Sequence, residues 1–284
     1  MKKVVFIIIS ILVFSCTKIS KIDGLLDEVE VLRDNFGINH IYANNQKDLF
    51  FMQGYLAAKD RLFQFEIWRR QATGTVAEIF GDDELERDIG TRLFKFRGNL
   101  VDELNHYHED GFEIVSSFVS GINKYIEEVN KEPNLLPIEF EILGIKPKKW
   151  TNEDVISRHQ GLLGNIEQEL NIGRAVSLIG EEKVKELMWF HPKDPDIKLG
   201  NDLTYDDLNQ DILRLYNAYR EPIEFKKHYI LDKYQSKNEI TYTKSNIHIN
   251  DEYSIGSNNW AVSGDKSFNG FPLLANDPHR SLSN

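Results

Sequence analysis

Apolar residues along this chain recur at two different spacings. Leu49, Phe50, Met52, Leu56, Leu62, Phe65 and Trp68 follow a helical period, which predicts a long helix capped by Asn45 or Asp48, running to about Thr73 and stopped by Gly74. Ahead of it the stretch from Glu28 to Asp34 alternates and is β-branched. Asn35-Phe-Gly37 reads as a turn and Ile38 to Ala43 as a returning strand, so a hairpin is expected. Further helical patterns cover 83–96, 109–129, 151–163, 167–179, 181–190 and 205–218, punctuated by Pro133, Pro137, Pro147 and Pro192. From Arg220 to Tyr253 the chain is rich in Lys, Asn, Glu, Tyr and Ser without a helical face, and reads as a linker or surface segment. Strand patterning then returns in Asn259 to Val262 and in Phe271 to Ala275, around a turn from Gly264 to Gly270. Two strands do not make a stable sheet alone. Either the front section supplies partners, or the sequence is a piece of a longer protein; the second reading is preferred.

Charge and the first residues narrow the picture. The 284 residues carry a formal charge of −11, and no basic stripe is available to neutralise phosphates, so a nucleic-acid partner is not expected. Lys2 and Lys3 precede an apolar run from Val4 to Phe14 that is too short to cross a bilayer as a mature helix and suits a signal peptide over 1–15. The run ends in Val13-Phe14-Ser15-Cys16, which resembles the lipobox of bacterial lipoproteins, with Cys16 as the lipidated residue and 16–27 as a tether. The competing reading is an incidental thiol. Cys16 is the only cysteine, so neither an internal disulfide nor a cysteine zinc site is available within the sequence.

Two groups of residues carry a family resemblance. Arg33-Asp-Asn-Phe-Gly-Ile-Asn-His-Ile-Tyr-Ala43, Gly54-Tyr-Leu-Ala-Ala-Lys-Asp-Arg-Leu-Phe-Gln-Phe65 and Arg69-Arg-Gln-Ala-Thr-Gly-Thr-Val-Ala-Glu-Ile-Phe-Gly81 resemble the start of the small subunit of penicillin acylases. Asn39 stands where many relatives have Pro. Gly256-Ser-Asn-Asn-Trp-Ala-Val262 and Asn276-Asp-Pro-His279 are similar to the start of the large subunit. The resemblance implies an α+β protein of the N-terminal nucleophile hydrolase fold, an αββα sandwich. It would be incomplete here: a mostly helical small-subunit region over 28–219, a spacer over 220–256 and the truncated start of the large subunit over 257–284. It also implies a precursor cut into two chains that stay associated.

The chemistry follows from what a serine lacks. A hydroxyl is a poor nucleophile until a base takes its proton. In this family the base is the α-amine of the same serine, whose ordinary pKa of roughly 7.7–8.0 leaves a neutral fraction near neutral pH. That amine exists only after the bond before the serine is cut, which makes Gly256-Ser257 the expected cleavage site and Ser257 the catalytic nucleophile. Glycine leaves its carbonyl open to attack and accepts unusual backbone angles. His279 lies where acyl-homoserine lactone and cephalosporin acylases also have His, and is expected to assist Ser257 through the amine; a turn histidine after Asp277-Pro278 is the alternative. Asn258 and Trp260 are read as scaffold near the nucleophile.

Glu169 sits where the family's small subunit gives one carboxylate to a structural calcium, with Glu167 as a competitor and a solvated helix face as the plain reading. His159, Leu162 and Leu163 could line an acyl pocket, or simply pack. His40 is expected to be a buried strand residue, and His106 and His108 are too isolated to mark a metal site. The implied activity is an amidohydrolase (acylase) releasing acids from N-acylated small molecules, lipid-anchored at a bacterial cell envelope. The implied partners are the small-molecule amide, the protein's own large subunit and a membrane, with no organic cofactor. The rival is a surface lipoprotein that uses the same scaffold for binding.

Overall fold

The structure is a computed structural model that describes residues 21–157, 166–235 and 258–277. In chain order it has strands β1 (Glu30–Arg33) and β2 (Asn39–Tyr42), then helices α1 (Gln46–Thr73), α2 (Ala77–Phe80), α3 (Leu85–Phe94) and α4 (Leu100–Tyr107). Next come α5 (Gly111–Lys131), α6 (Ile138–Leu143), α7 (Asn152–Ser157), α8 (Ile166–Ile179) and α9 (Glu181–Leu187). Helices α10 (Tyr205–Asn209) and α11 (Arg214–Arg220) precede the last strands, β3 (Asn258–Val262) and β4 (Leu273–Asp277). The chain divides into two compact units, one taking Met1–Glu141 with Ile145–Glu224 and the other Ile142–Gly144 with Phe225–Asn284.

The first unit is helical and centred on α1 and α5. Its core gathers Phe51, Met52, Tyr55, Leu62, Ile122 and Ile126, with Phe140 and Trp150 closing it. Two glycines set how closely the helices approach. A Cβ on Gly54 would come within 2.0 Å of the Phe118 carbonyl oxygen, and one on Gly121 within 1.9 Å of the Phe51 oxygen. Only hydrogen fits at either place. Asn45 caps α1, its side chain accepting from the Asp48 amide at 2.8 Å, and Gly74 ends it in the left-handed conformation. Both ends fall where the sequence places them. Inside α1 the backbone breaks at Arg61 (φ −142°, ψ 39°). Beside that kink, Asp60 receives Arg33 at 2.7 Å and Asn39 at 3.2 Å, which fixes the β1–β2 hairpin to the helix.

Ionic groups are also buried in this unit. Glu66, 1% exposed, accepts from Arg69 at 2.8 Å and from the Lys148 amide at 3.0 Å. Arg70 Nε lies 2.8 Å from the same carboxylate as an ion contact, without hydrogen-bond alignment. Arg70 reaches Glu78 at 2.9 Å and the Thr75 carbonyl at 3.0 Å. Hydrogen bonding from Lys148 and then from Arg70 holds the Glu78 carboxyl below its usual pKa. Asp88 accepts the Val76 and Ala77 amides at 2.9 Å each, while burial pushes its carboxyl up. The stretch from Arg69 to Gly81 is thus a helix stop and turn locked by buried charge.

Several expectations need correction. The helix expected over 205–218 is two helices. Arg174 of α8 donates to the carbonyls of Leu208 (2.7 Å) and Gln210 (3.5 Å), and Gln210 is extended, so the helix cannot continue. α10 then packs on α8 and α11 on α3. α2, α4 and α6 had no clear periodic signal, being short. The expected tether over 16–27 is docked from Ile22 onward: Ile22 and Leu25 pack against the core, and the Leu26 and Asp27 amides donate to Asp48. His40 is exposed, not buried, and pairs with Asp34 at 3.2 Å. Alternation along β2 turns Ile41 to the core and His40 away from it. The partner strands considered for the last hairpin are not in its sheet, since β1–β2 and β3–β4 form separate two-stranded sheets among the described residues.

Candidate functional site

The second unit holds the hairpin next to the expected nucleophile. Its turn is built by local bonds. The Ser263 side chain accepts from the Asp265 amide at 3.4 Å, and the Ser267 hydroxyl donates to the carbonyls of Gly264 (3.0 Å) and Phe271 (2.6 Å). Gly264 passes so close that a Cβ there would lie 2.5 Å from the Gly270 oxygen, and Gly270 itself has φ 76°. The turn therefore needs both glycines, and its length sets the register of the strands. β3 and β4 run antiparallel with Asn258 opposite Asp277, Asn259 opposite Asn276, Trp260 opposite Ala275, Ala261 opposite Leu274 and Val262 opposite Leu273.

Successive residues alternate faces, so Trp260, Ala275 and Val262 share one side and Asn259, Ala261 and Leu274 the other. Trp260 is 54% exposed and Leu274 79% exposed, which leaves apolar side chains open on both faces. Apolar groups on both sides of a two-stranded ribbon are the pattern of an inner strand pair in a layered sheet, where each face is covered by another layer.

Gly256, Ser257 and His279 lie outside the described residues, as do Cys16, His159, Leu162 and Leu163. Of Asn258 the backbone pairing is described, and Trp260 is placed two positions further along the same strand face. Glu169 lies in the first turn of α8 on an exposed face, as does Glu167. Glu167, Gln168, Asn171, Ile172 and Met188 line a shallow depression of about 390 Å³. No group of three or more His, Cys, Asp or Glu side chains suited to a metal occurs among the described residues. A calcium ion takes roughly six to eight oxygens, so these carboxylates do not make a calcium site by themselves. No described helix is long and apolar enough to cross a membrane.

Other histidines have ordinary partners. The His108 ring accepts from the Asp110 amide at 3.1 Å, just before α5, and His106 packs edge-on to Tyr107. Sequence reasoning missed the buried Glu66, Arg69, Arg70 and Asp88, because charged residues at helical spacing read as a solvated face. A signal was available for two of them, since Arg69 and Arg70 open one of the stretches that resemble small subunits.

The helical unit and the glycine-framed hairpin carry, in this order, the two groups of residues that resemble penicillin acylases. The Penicillin amidase family model matches residues 28–284, and the chain belongs to that family. The penicillin acylase 2 proenzyme of Pseudomonas sp. (strain SE83) is 30% identical over 263 residues, covering 91% of this chain and 31% of that protein. The penicillin G acylase of Escherichia coli is 36% identical over 139 residues, covering 49% of this chain and 16% of that protein. The acyl-homoserine lactone acylase QuiP of Pseudomonas syringae pv. syringae (strain B728a) is 26% identical over 262 residues, covering 89% and 28%. This chain therefore spans about a third or less of the length of these relatives. Among solved structures, a thermostable penicillin G acylase from Alcaligenes faecalis aligns with TM-score 0.49 and 27% identity, over 61% of this chain and 97% of that one.

Proposed function

We propose that this chain carries the small-subunit region and the nucleophile-bearing strand of an amidohydrolase that acts on linear amide bonds. Family membership across 28–284 supports the reading, and one structural observation carries it: Asn258 pairs with Asp277. Ser257 is the residue before Asn258 and His279 is the second after Asp277. With Cα atoms about 3.8 Å apart along a chain, both lie within covalent reach of the same end of one hairpin.

In the precursor, the Ser257 hydroxyl attacks the Gly256 carbonyl carbon, and the peptide C–N bond breaks as the C–O ester bond forms. The released nitrogen keeps the hydroxyl proton and becomes the α-amine of Ser257. Water then cleaves the ester, leaving a carboxylate on Gly256 and a free hydroxyl on Ser257. In the mature enzyme the neutral amine takes the Ser257 proton as Oγ attacks the substrate carbonyl, and passes it to the leaving amine. Water releases the carboxylic acid from the acyl-enzyme by the same proton route. His279 is assigned to orienting that amine. Glu169 is proposed to give one oxygen to a calcium ion whose remaining ligands come from outside the described residues.

The substrates in view are acylated amines: N-acyl homoserine lactones, β-lactam side-chain amides or related N-acyl compounds. Two of the relatives are named for penicillin and for acyl-homoserine lactones, which supports this range. Cys16 is proposed as the lipidated residue holding the protein at the bacterial cell envelope. Expression of the full-length gene tests the reading. Spontaneous cleavage giving a fragment that begins at Ser257, and its loss in Ser257→Ala, are expected; an intact, folded chain would favour a binding lipoprotein instead.

A further inference from the structure

We infer that Arg87 sets the end of the small chain: after the proposed cut ahead of Ser257, peptidases that shorten the tail from Gly256 are stopped at Pro222. The inference rests on that cut, and its physical basis is a buried arginine aimed at a helix end. α11 stops because Pro222 holds Glu221 extended, at φ −59° and ψ 148°. A helix that stops leaves its last carbonyls without partners inside it. Arg87 of α3, 5% exposed, takes these up. Its Nη1 donates to the Glu221 carbonyl at 2.5 Å and, at a longer 3.5 Å, to that of Tyr219, while Nη2 donates to the Pro222 carbonyl at 3.1 Å. Nε donates to the buried Glu84 carboxylate, which balances the charge and fixes the plane of the guanidinium.

The helix bearing those carbonyls is itself seated on α3. A Cβ on Gly90 would stand 2.3 Å from the Leu215 oxygen, so the two helices approach too closely there for any side chain. Phe94 stacks on Tyr219 with ring centroids 5.1 Å apart and meets Tyr216 edge-on at 5.9 Å. Both tyrosines are buried. A peptidase must draw several residues on each side of a bond out of the fold before it cuts, and its rate follows the population so opened. Each cut adds one water across a peptide bond and yields a carboxylate and an amine. Up to Pro222, such opening strips a buried guanidinium of its carbonyl partners and lifts Tyr219 off Phe94. Further along, Leu231 is held by its amide on the Ile142 carbonyl at 2.9 Å, a bond between neutral groups at an exposed residue. Hydrogen bonds to charged groups are the stronger kind, so the barrier to shortening rises at Pro222. The spacer expected over 220–256 thus begins after Pro222.

The test uses the full-length protein after maturation, treated with trypsin under native conditions while the mass of the small chain is followed. The bonds after Lys226 and Lys227 should be cut first. The bond after Arg220 should be cut at least about tenfold more slowly, the factor expected from one hydrogen bond to a charged group. Arg87→Lys keeps a charge near Glu84 but has no planar fork to serve several carbonyls. It should bring the Arg220 bond close to the rate of the Lys bonds while circular dichroism stays native. If that variant does not fold, the wild-type order of cuts still decides. Cutting after Arg220 in the wild type as fast as after Lys227, or an Arg220 bond equally protected in a folded Arg87→Lys, would overturn the inference. Failure of the maturation reading shows separately. The chain then stays whole before trypsin is added, and Ser257→Ala, whole by design, still reports the order of the three cuts.

Discussion

Asn258 and Asp277 face each other at the end of the β3–β4 register, one residue after Ser257 and two before His279. The hairpin turn lies at the opposite end, between Val262 and Leu273, so anything that shifts the turn shifts every pair up to Asn258–Asp277. A proposed reacting centre and a distant pair of glycines are linked through one register.

That link makes Gly264 a remote determinant of maturation. A Cβ at this position would stand 2.5 Å from the Gly270 oxygen, so Gly264→Val must push the two sides of the turn apart. The expected result is slower and less complete cutting at Gly256-Ser257, read by gel analysis of the precursor, without any change to the residues of the reaction. Gly270→Ala, which forces a side chain to φ 76°, should cost about 1 kcal/mol and slow cutting less.

His279→Ala should leave cleavage of the precursor detectable and lower kcat/KM for an acylated amine by about 100-fold, at the lower edge of what general acid–base assistance contributes. Because its assigned part is to orient the α-amine, the pH–rate profile should also change shape, and His279→Gln should restore some activity. Unchanged kinetics in both variants would make it a turn residue.

In the helical unit, Glu66→Ala should be far worse than an ordinary surface change. It strands Arg69 and Arg70, both buried, and releases the Lys148 amide. Removal of one partner from a buried ionic group costs about 3–5 kcal/mol, readable in urea denaturation. Gly121→Val should be comparably severe, since its side chain would meet the Phe51 backbone of α1.

Acid should act on the Asp48 clamp with a definite sign. Burial pushes this carboxyl up, but the Leu26 amide, the Asn45 side chain and the Asp27 amide together outweigh it, and its pKa is lowered from the ordinary 3.8. A lowered pKa means that the folded state holds the ionised form more tightly than the unfolded chain does. The stabilisation is complete above pH 3.8 and fades as pH falls through the folded value. Asp48→Asn should therefore be less stable than wild type at neutral pH, with the gap closing in acid; a pH-independent gap would mean packing alone is at stake.

Local elements and the family were legible in the chain alone. Period and capping residues mark α1 from Asn45 to Gly74, and alternation with a glycine turn marks both hairpins, because these depend on neighbours in the chain. The motifs around Arg69 and Ser257 placed the chain in its family for the same reason: they are contiguous. Long-range packing settled the rest. Arg174 splits the 205–218 helix from thirty-odd residues away, Asp48 turns an expected tether into a docked strap, and Glu66 takes the amide of Lys148, 82 residues further along the chain. Each of these joins groups far apart in sequence, and periodicity carries no information about which distant carbonyl or carboxylate will lie within about 3 Å of a donor.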